Sequence, residues 1–209
     1  KALMPIGDRL FLDIILDGID TTVVNRIILS LYYKPERFLT YLKGVKSKDI
    51  ITCVEPEPLG TAGAIKYILD SINVSSTFFV QNGDTLTNTK FNEMLPLFSR
   101  SNYDSMMGIS HIEDTGRYGA VRFKNDCLTG FYEKGRKKTG WINNGHYIFR
   151  NHVFDEVKGA ASLEREIIPS LVSRKRIGVF AENNDQFIDI GMPSDYIKFL
   201  NMDNQKSAS

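Results

Sequence analysis

Two aspartates stand where a short apolar run breaks into a glycine turn. Thr77-Phe78-Phe79-Val80 leads through Gln81 into Asn82-Gly83-Asp84, and Phe187-Ile188 leads into Asp189-Ile190-Gly191. A continuous apolar run bounded by turn residues predicts a strand buried on both faces, and open α/β sheets bind ligands just beyond the carboxyl ends of such strands. A carboxylate at that edge is a hard oxygen donor of the kind Mg²⁺ prefers. If Asp84 and Asp189 converge, they would hold one ion beside a polyphosphate, neutralising its charge and orienting it for attack. Gly83 lets the backbone turn sharply and leaves room for a ligand, and the Asn82 amide can hold the turn. Each aspartate alone reads more simply as a turn former or a cap, so the pairing carries the weight.

A second polar stretch runs Glu55-Pro56-Glu57-Pro58-Leu59-Gly60-Thr61-Ala62-Gly63-Ala64. The prolines favour an extended approach, and Thr61 is suited to cap a helix continuing through Ile65 and Ile68. Small residues at a helix start let a flat ligand lie against the backbone, where free N–H groups suit a polar or anionic partner. Close packing explains the same composition equally well. Further along, Gly119 permits close approach, Lys134 can meet a phosphate as a point charge, and Glu133 can accept hydrogen bonds from sugar hydroxyls. Asn143-Asn144-Gly145-His146-Tyr147 sets polar residues inside an apolar strand, the mark of an edge or of a ligand position. His146 alone reads as structural. Neither histidine nor cysteine sits in a nucleophile arrangement, so covalent catalysis has little support.

These residues must be held by ordinary α/β elements. The chain has 209 residues, 42% hydrophobic and 24% charged, enough for one sizeable domain. A formal net charge of +1 argues against nucleic acid or an acidic membrane surface as partner. Cys53 and Cys127 stand far apart, as reduced thiols of a cytoplasmic protein would, and no apolar run is long enough to span a bilayer. A homo-oligomer is compatible with the sequence. Helical periodicity over Leu10–Ile19, strands at Arg26–Leu31 and Ile50–Val54, and a helix starting at Pro35 predict crossover helices on a parallel sheet. Helix Phe91–Phe98 and strand Asp104–Ile112 follow. Strands over Gly119–Phe123, Leu128–Glu133 and Trp141–Phe149 then predict an antiparallel excursion. Ser162 caps a helix, Ile177–Ala181 is a strand, and Pro193 starts a closing helix, with Asn204–Ser209 frayed.

Four of these stretches, Pro58 to Ala64, Asn82 to Asp84, Asn143 to Tyr147 and Asp189 to Pro193, follow one another in an order that resembles the sugar-1-phosphate nucleotidyltransferases over essentially the whole chain. Lys1-Ala2-Leu3-Met4-Pro5-Ile6 resembles the end of that family's signature, with Ala2 in place of the usual proline. The resemblance implies a Rossmann-like three-layer α/β domain with a mostly parallel mixed sheet, of the glycosyltransferase-A-like type. One domain would span residues 1–209, with 1–112 as nucleotide-binding half and 113–209 as sugar-phosphate-binding half. A first strand and a glycine-rich, triphosphate-cradling loop are expected before Lys1.

By the same resemblance Lys1 contacts phosphate, and Asp84 and Asp189 hold Mg²⁺. Leu59, Gly60, Thr61, Asn82 and Gly83 bind the nucleotide, while Gly119, Glu133, Lys134 and Asn143 bind the sugar phosphate. The implied substrates are a nucleoside triphosphate and a sugar 1-phosphate. Within the family the details are most similar to the D-glycero-D-manno-heptose 1-phosphate guanylyltransferases, then to mannose-1-phosphate guanylyltransferases and glucose-1-phosphate thymidylyltransferases. Two rivals remain: a non-catalytic sugar-nucleotide sensor, and a glycosyltransferase, which the lack of an Asp-x-Asp pattern at Asn82-Gly83-Asp84 disfavours.

Overall fold

The computed structural model describes residues 1–45, 49–118, 120–131, 139–182 and 187–207. A hairpin of β1 (Pro5–Ile6) and β2 (Arg9–Leu10) leads into α1 (Phe11–Asp17), β3 (Ile27–Leu31), α2 (Pro35–Leu42), β4 (Ile50–Val54) and α3 (Gly60–Ser71). Then come β5 (Thr77–Gln81), β6 (Thr85–Leu86), α4 (Phe91–Arg100), β7 (Ser105–Ile112), β8 (Val121–Lys124), β9 (Cys127–Phe131) and β10 (Gly140–Arg150). A π-helical turn, Leu163–Ile167, opens α5 (Ile168–Ser173), and β11 (Ile177–Glu182), β12 (Ile188–Asp189) and α6 (Pro193–Ser207) close the chain.

Apolar runs without alternation need cover on both faces, and that need builds the centre. Six strands pair in the order β5-β10-β7-β11-β9-β8. On one face Met107, Tyr147 and Phe149 pack with Ala62 and Ile65 of α3 and with Leu163, Ile168 and Leu171. On the other, Met106 and Ile148 meet Phe91, Met94 and Phe98 of α4. Neighbouring residues of one strand thus enter opposite cores, which gives three layers, helix on sheet on helix.

The sheet is mixed, as expected, but not mostly parallel among neighbours. Only β7 with β11 pairs parallel in the six-stranded sheet, while β3 with β4 forms a separate parallel pair. The reason is β10. It returns from the antiparallel excursion and slots between β5 and β7, antiparallel to both, leaving four of the six strands sharing one direction. A strand from residues 113–209 therefore lies at the centre of a sheet begun by residues 1–112. Other departures are local. α6 continues to Ser207, past the predicted fraying at Asn204. No helix among the described residues is long and apolar enough to cross a membrane.

Asp104 locks the start of β7 to the start of β11. Arg176 donates to it through two guanidinium nitrogens at 2.8 and 2.7 Å, and that bidentate bond holds its carboxyl below the usual range.

The small residues opening α3 are there for packing. Gly60 sits at φ +66°, and a Cβ on it would lie 2.6 Å from the Ala161 carbonyl oxygen. A Cβ on Gly63 would overlap the Gly159 carbonyl oxygen. Ala62 N–H donates to that same Ala161 oxygen at 2.9 Å, so the helix start is bound to the 159–161 backbone. Gly63→Ala should cost about 2 kcal/mol by overpacking, a fall of roughly 4–8 °C in Tm measured by thermal unfolding.

Candidate active site

An apolar knot positions the first carboxylate. Ile190 packs with Ile6, Phe11 and Ile15, while Ile188 and Leu86 press against the same cluster. Strand alternation then turns the intervening Asp189 away from that core. β12 pairs antiparallel with β6, setting Asp189 opposite Thr85, and Ile190 N–H donates to the Asp84 carbonyl at 3.0 Å. The two aspartates expected to converge are therefore backbone neighbours across this short pair of strands, although 105 residues separate them in sequence.

Lys1 completes the group. Its ammonium lies 3.2 Å from Asp84 Oδ2, and a Cβ on Gly191 would sit 3.0 Å from Lys1 Nζ and 2.7 Å from Asp189 Oδ1. Gly191 thereby leaves room for the amine and the second carboxylate to approach one point. Asp189 Oδ1 also accepts from Gly191 N–H at 2.7 Å, which fixes its rotamer. The backbone behind Lys1 is tied down: Met4 N–H donates to the Lys1 carbonyl and Leu12 N–H to that of Ala2, both at 2.8 Å. Two adjacent carboxylates are a donor set that suits Mg²⁺ when substrate phosphates and waters fill the remaining positions. Among the described residues no cluster of three or more metal-ligating side chains exists that could cage a metal without substrate.

Lys1 and Asp84 of this group border a cleft of about 1320 Å³. Lys1, Asn82, Gly83 and Asp84 line it, with Gly60 and Thr61 from α3 and consecutive residues of β3 and β5. Consecutive residues lining one space means that it faces the strand edges rather than one pleat face. β5 is covered on both faces, with Phe78 and Val80 against one core and Phe79 against the other, and its residues are only half-buried because its edge borders the cleft.

The predicted nucleotide residues divide. Gly60, Thr61, Asn82 and Gly83 line the cleft, whereas Leu59 is buried, its N–H bound to Glu55 Oε2 at 3.2 Å. Thr61 does not cap α3, because Leu59 holds the cap position and Thr61 Oγ1 instead accepts from Leu163 N–H at 2.9 Å. Asn143 is partly buried, donating to the Tyr147 hydroxyl at 2.6 Å and accepting from Gly145 N–H at 3.1 Å. Gly119, Glu133 and Lys134 lie outside the described residues.

The sequence singles out Arg117-Tyr118-Gly119 but not the partner of Arg117 in α6. Arg117 donates to Asp195 Oδ2 at 2.6 Å and lies beside Tyr118. Burial, then the nearby Asp195 charge, pushes the Tyr118 hydroxyl up to about 12, and Asp189 adds to the shift. An acid in the first turn of α6 was the available signal, read only as part of a closing helix.

A family model described as Nucleotidyl transferase matches residues 1–206. The chain belongs to that family. This nucleotidyl transferase chain is 34% identical over 208 residues to D-glycero-alpha-D-manno-heptose 1-phosphate guanylyltransferase of Campylobacter jejuni, covering 96% of the chain and 89% of the relative. It is 30% identical over 197 residues to mannose-1-phosphate guanylyltransferase 1 of Arabidopsis thaliana, covering 90% of the chain but 54% of the longer relative. The crystal structure of HddC from Yersinia pseudotuberculosis superposes with a TM-score of 0.85 at 30% identity, over 96% of this chain and 88% of that one. The same relative complexed with GMP-PN gives 0.83 at 29% identity, with the same coverage.

His146 bears on stability. It is 2% exposed, and burial pushes its pKa down to about 4. An unfolded histidine titrates near ~6.5, so from there downward the unfolded chain takes up a proton that the folded nucleotidyl transferase refuses. Stability from this group is full above pH ~6.5 and falls as pH drops toward 4, by about 3 kcal/mol in all. Urea unfolding across pH should show that slope, and His146→Gln should flatten it.

Proposed function

We propose that this nucleotidyl transferase joins a nucleoside triphosphate to a sugar 1-phosphate, with GTP and D-glycero-D-manno-heptose 1-phosphate as the favoured pair, releasing pyrophosphate. The observation that carries the reading is the placement of Asp189 on β12 and of Asp84 in the turn entering its partner strand β6, with the Lys1 ammonium beside them. In the reaction a phosphate oxygen of the sugar 1-phosphate attacks the α-phosphorus, a new P–O bond forms, and the bond to pyrophosphate breaks. No side-chain nucleophile is required, so catalysis consists of alignment and charge stabilisation.

Each group has a task in that scheme. Asp84 and Asp189 would hold Mg²⁺, which when bound supplies positive charge at the phosphates. The Lys1 ammonium leaves Asp84 to meet a phosphate oxygen, a move its exposed, flexible stem allows. Gly60, Thr61, Asn82 and Gly83 border the nucleotide. By the resemblance, Asn143 would contact the sugar phosphate together with Gly119, Glu133 and Lys134. The guanine preference is supported by the names of the relatives and by the GMP-PN complex of one of them.

The test is pyrophosphate release from a matrix of GTP, dTTP and other nucleotides against heptose, mannose and glucose 1-phosphates. Turnover should be highest with GTP and the heptose phosphate. Highest turnover with mannose 1-phosphate would favour the second reading, which the Arabidopsis relative supports. Tight binding of a sugar nucleotide with no turnover for any pair would favour a sensor.

A further inference from the structure

Midway along β10 the ladder to β7 loses its register. Asn143 pairs with Ile109 and Tyr147 with Met107, so Asn144, Gly145 and His146 all face the single residue Gly108. A bulge of this size in a central strand needs partners for the backbone groups it takes out of the ladder. Asn144 supplies the brace. Its side chain is fully buried, and its Nδ2 donates to Thr89 Oγ1 and Ser110 Oγ, both at 3.2 Å. Its Oδ1 accepts from His146 N–H at 3.2 Å. Gly108 makes the space: a Cβ there would lie 2.5 Å from Asn144 Oδ1. The Asn144 amide thus binds together β7, the segment before α4 and the bulge itself.

The bulge holds two groups that the proposed reaction uses. One is Asn143, whose Oδ1 accepts from Gly145 N–H at 3.1 Å. The other is the turn that carries Asp84, held by the Gly145 carbonyl, which accepts from Asn82 N–H at 2.9 Å. Gly145 sits at φ +80°, and a Cβ on it would come 2.8 Å from the Asn82 amide nitrogen, so the two segments are in direct contact.

We infer that Asn144 is a positioning residue: its buried amide sets the bulge from which Asn143 is presented to the sugar phosphate and from which the Asp84 turn is held. It touches no reacting atom and works through Asn143 and Gly145. The inference rests on the proposed transfer reaction.

Steady-state pyrophosphate release by Asn144→Ala, Ser110→Ala and the double variant tests it. Displacing the bulge should raise KM for the sugar 1-phosphate about 10-fold and lower kcat about 10-fold, and KM for the nucleotide should rise too, through the Asn82 turn that the bulge holds. A general loss of packing would instead lower the active fraction and leave both KM values alone. Ser110→Ala should give a smaller change in the same direction. The double variant should be no worse than Asn144→Ala, because Ser110 acts through that amide. All parameters within about twofold for Asn144→Ala, alongside a large loss in Asp84→Asn, would overturn the inference and spare the reaction. Full activity in Asp84→Asn would overturn the reaction's metal site instead. If Asn144→Ala does not fold, Ser110→Ala and Thr89→Val decide: an unchanged sugar KM in both overturns the inference.

Discussion

Asp84→Asn is expected to lower turnover about 10³-fold at saturating Mg²⁺, with the protein still folded. The substitution keeps the shape and the turn, since the backbone carbonyl that accepts from Ile190 N–H is untouched. What it removes is one negative charge from a pair held close by the pairing of β6 with β12. Raising the metal concentration should not rescue it, because the lost charge is needed in the transition state and not only for occupancy. Asp189→Asn should fall in the same range. Pyrophosphate release at several metal concentrations, with circular dichroism to confirm folding, measures both; turnover within about tenfold of the unsubstituted enzyme would remove Asp84 from the metal site.

Lys1→Met should lower turnover about 10²-fold and move metal affinity the other way. The ammonium lies 3.2 Å from Asp84 Oδ2, where it competes with a cation for that carboxylate. Without it, Mn²⁺ should bind the nucleotide-free enzyme more tightly while phosphate charge in the transition state loses a partner. A merely structural Lys1–Asp84 ion pair predicts neither effect, since both groups are substantially exposed and such pairs contribute about 0–1 kcal/mol. Kinetics and Mn²⁺ titration of one variant therefore separate the two roles.

Much of this was readable in the residues, for reasons that also mark the limits. Strands such as Ile50–Val54 and the helix at Pro35 announce themselves because β-branched runs and a proline at a first turn act locally. β6 and β12 have two residues each and no periodicity, so only the folded backbone reveals that Asp84 and Asp189 are neighbours. The polar stretch at Asn143–Tyr147 was read as an edge or a ligand position. It is a bulge in a central strand, a distinction that depends on Gly108 and Ser110 more than thirty residues away. Likewise Gly60 and Gly63 suggested space for a ligand, while their first duty is to clear the 159–161 backbone. Close approach by a ligand and close approach by the chain select the same residue type, so composition could not separate them.

Asp84 and Asp189 are expected to grip a single divalent ion. Calorimetric titration of Mn²⁺ into the enzyme holding a non-hydrolysable nucleoside triphosphate analogue addresses that directly. The expected result is a shared site, weakened about tenfold or more by Asp84→Asn and equally by Asp189→Asn. Unaltered Mn²⁺ affinity in either variant would contradict it.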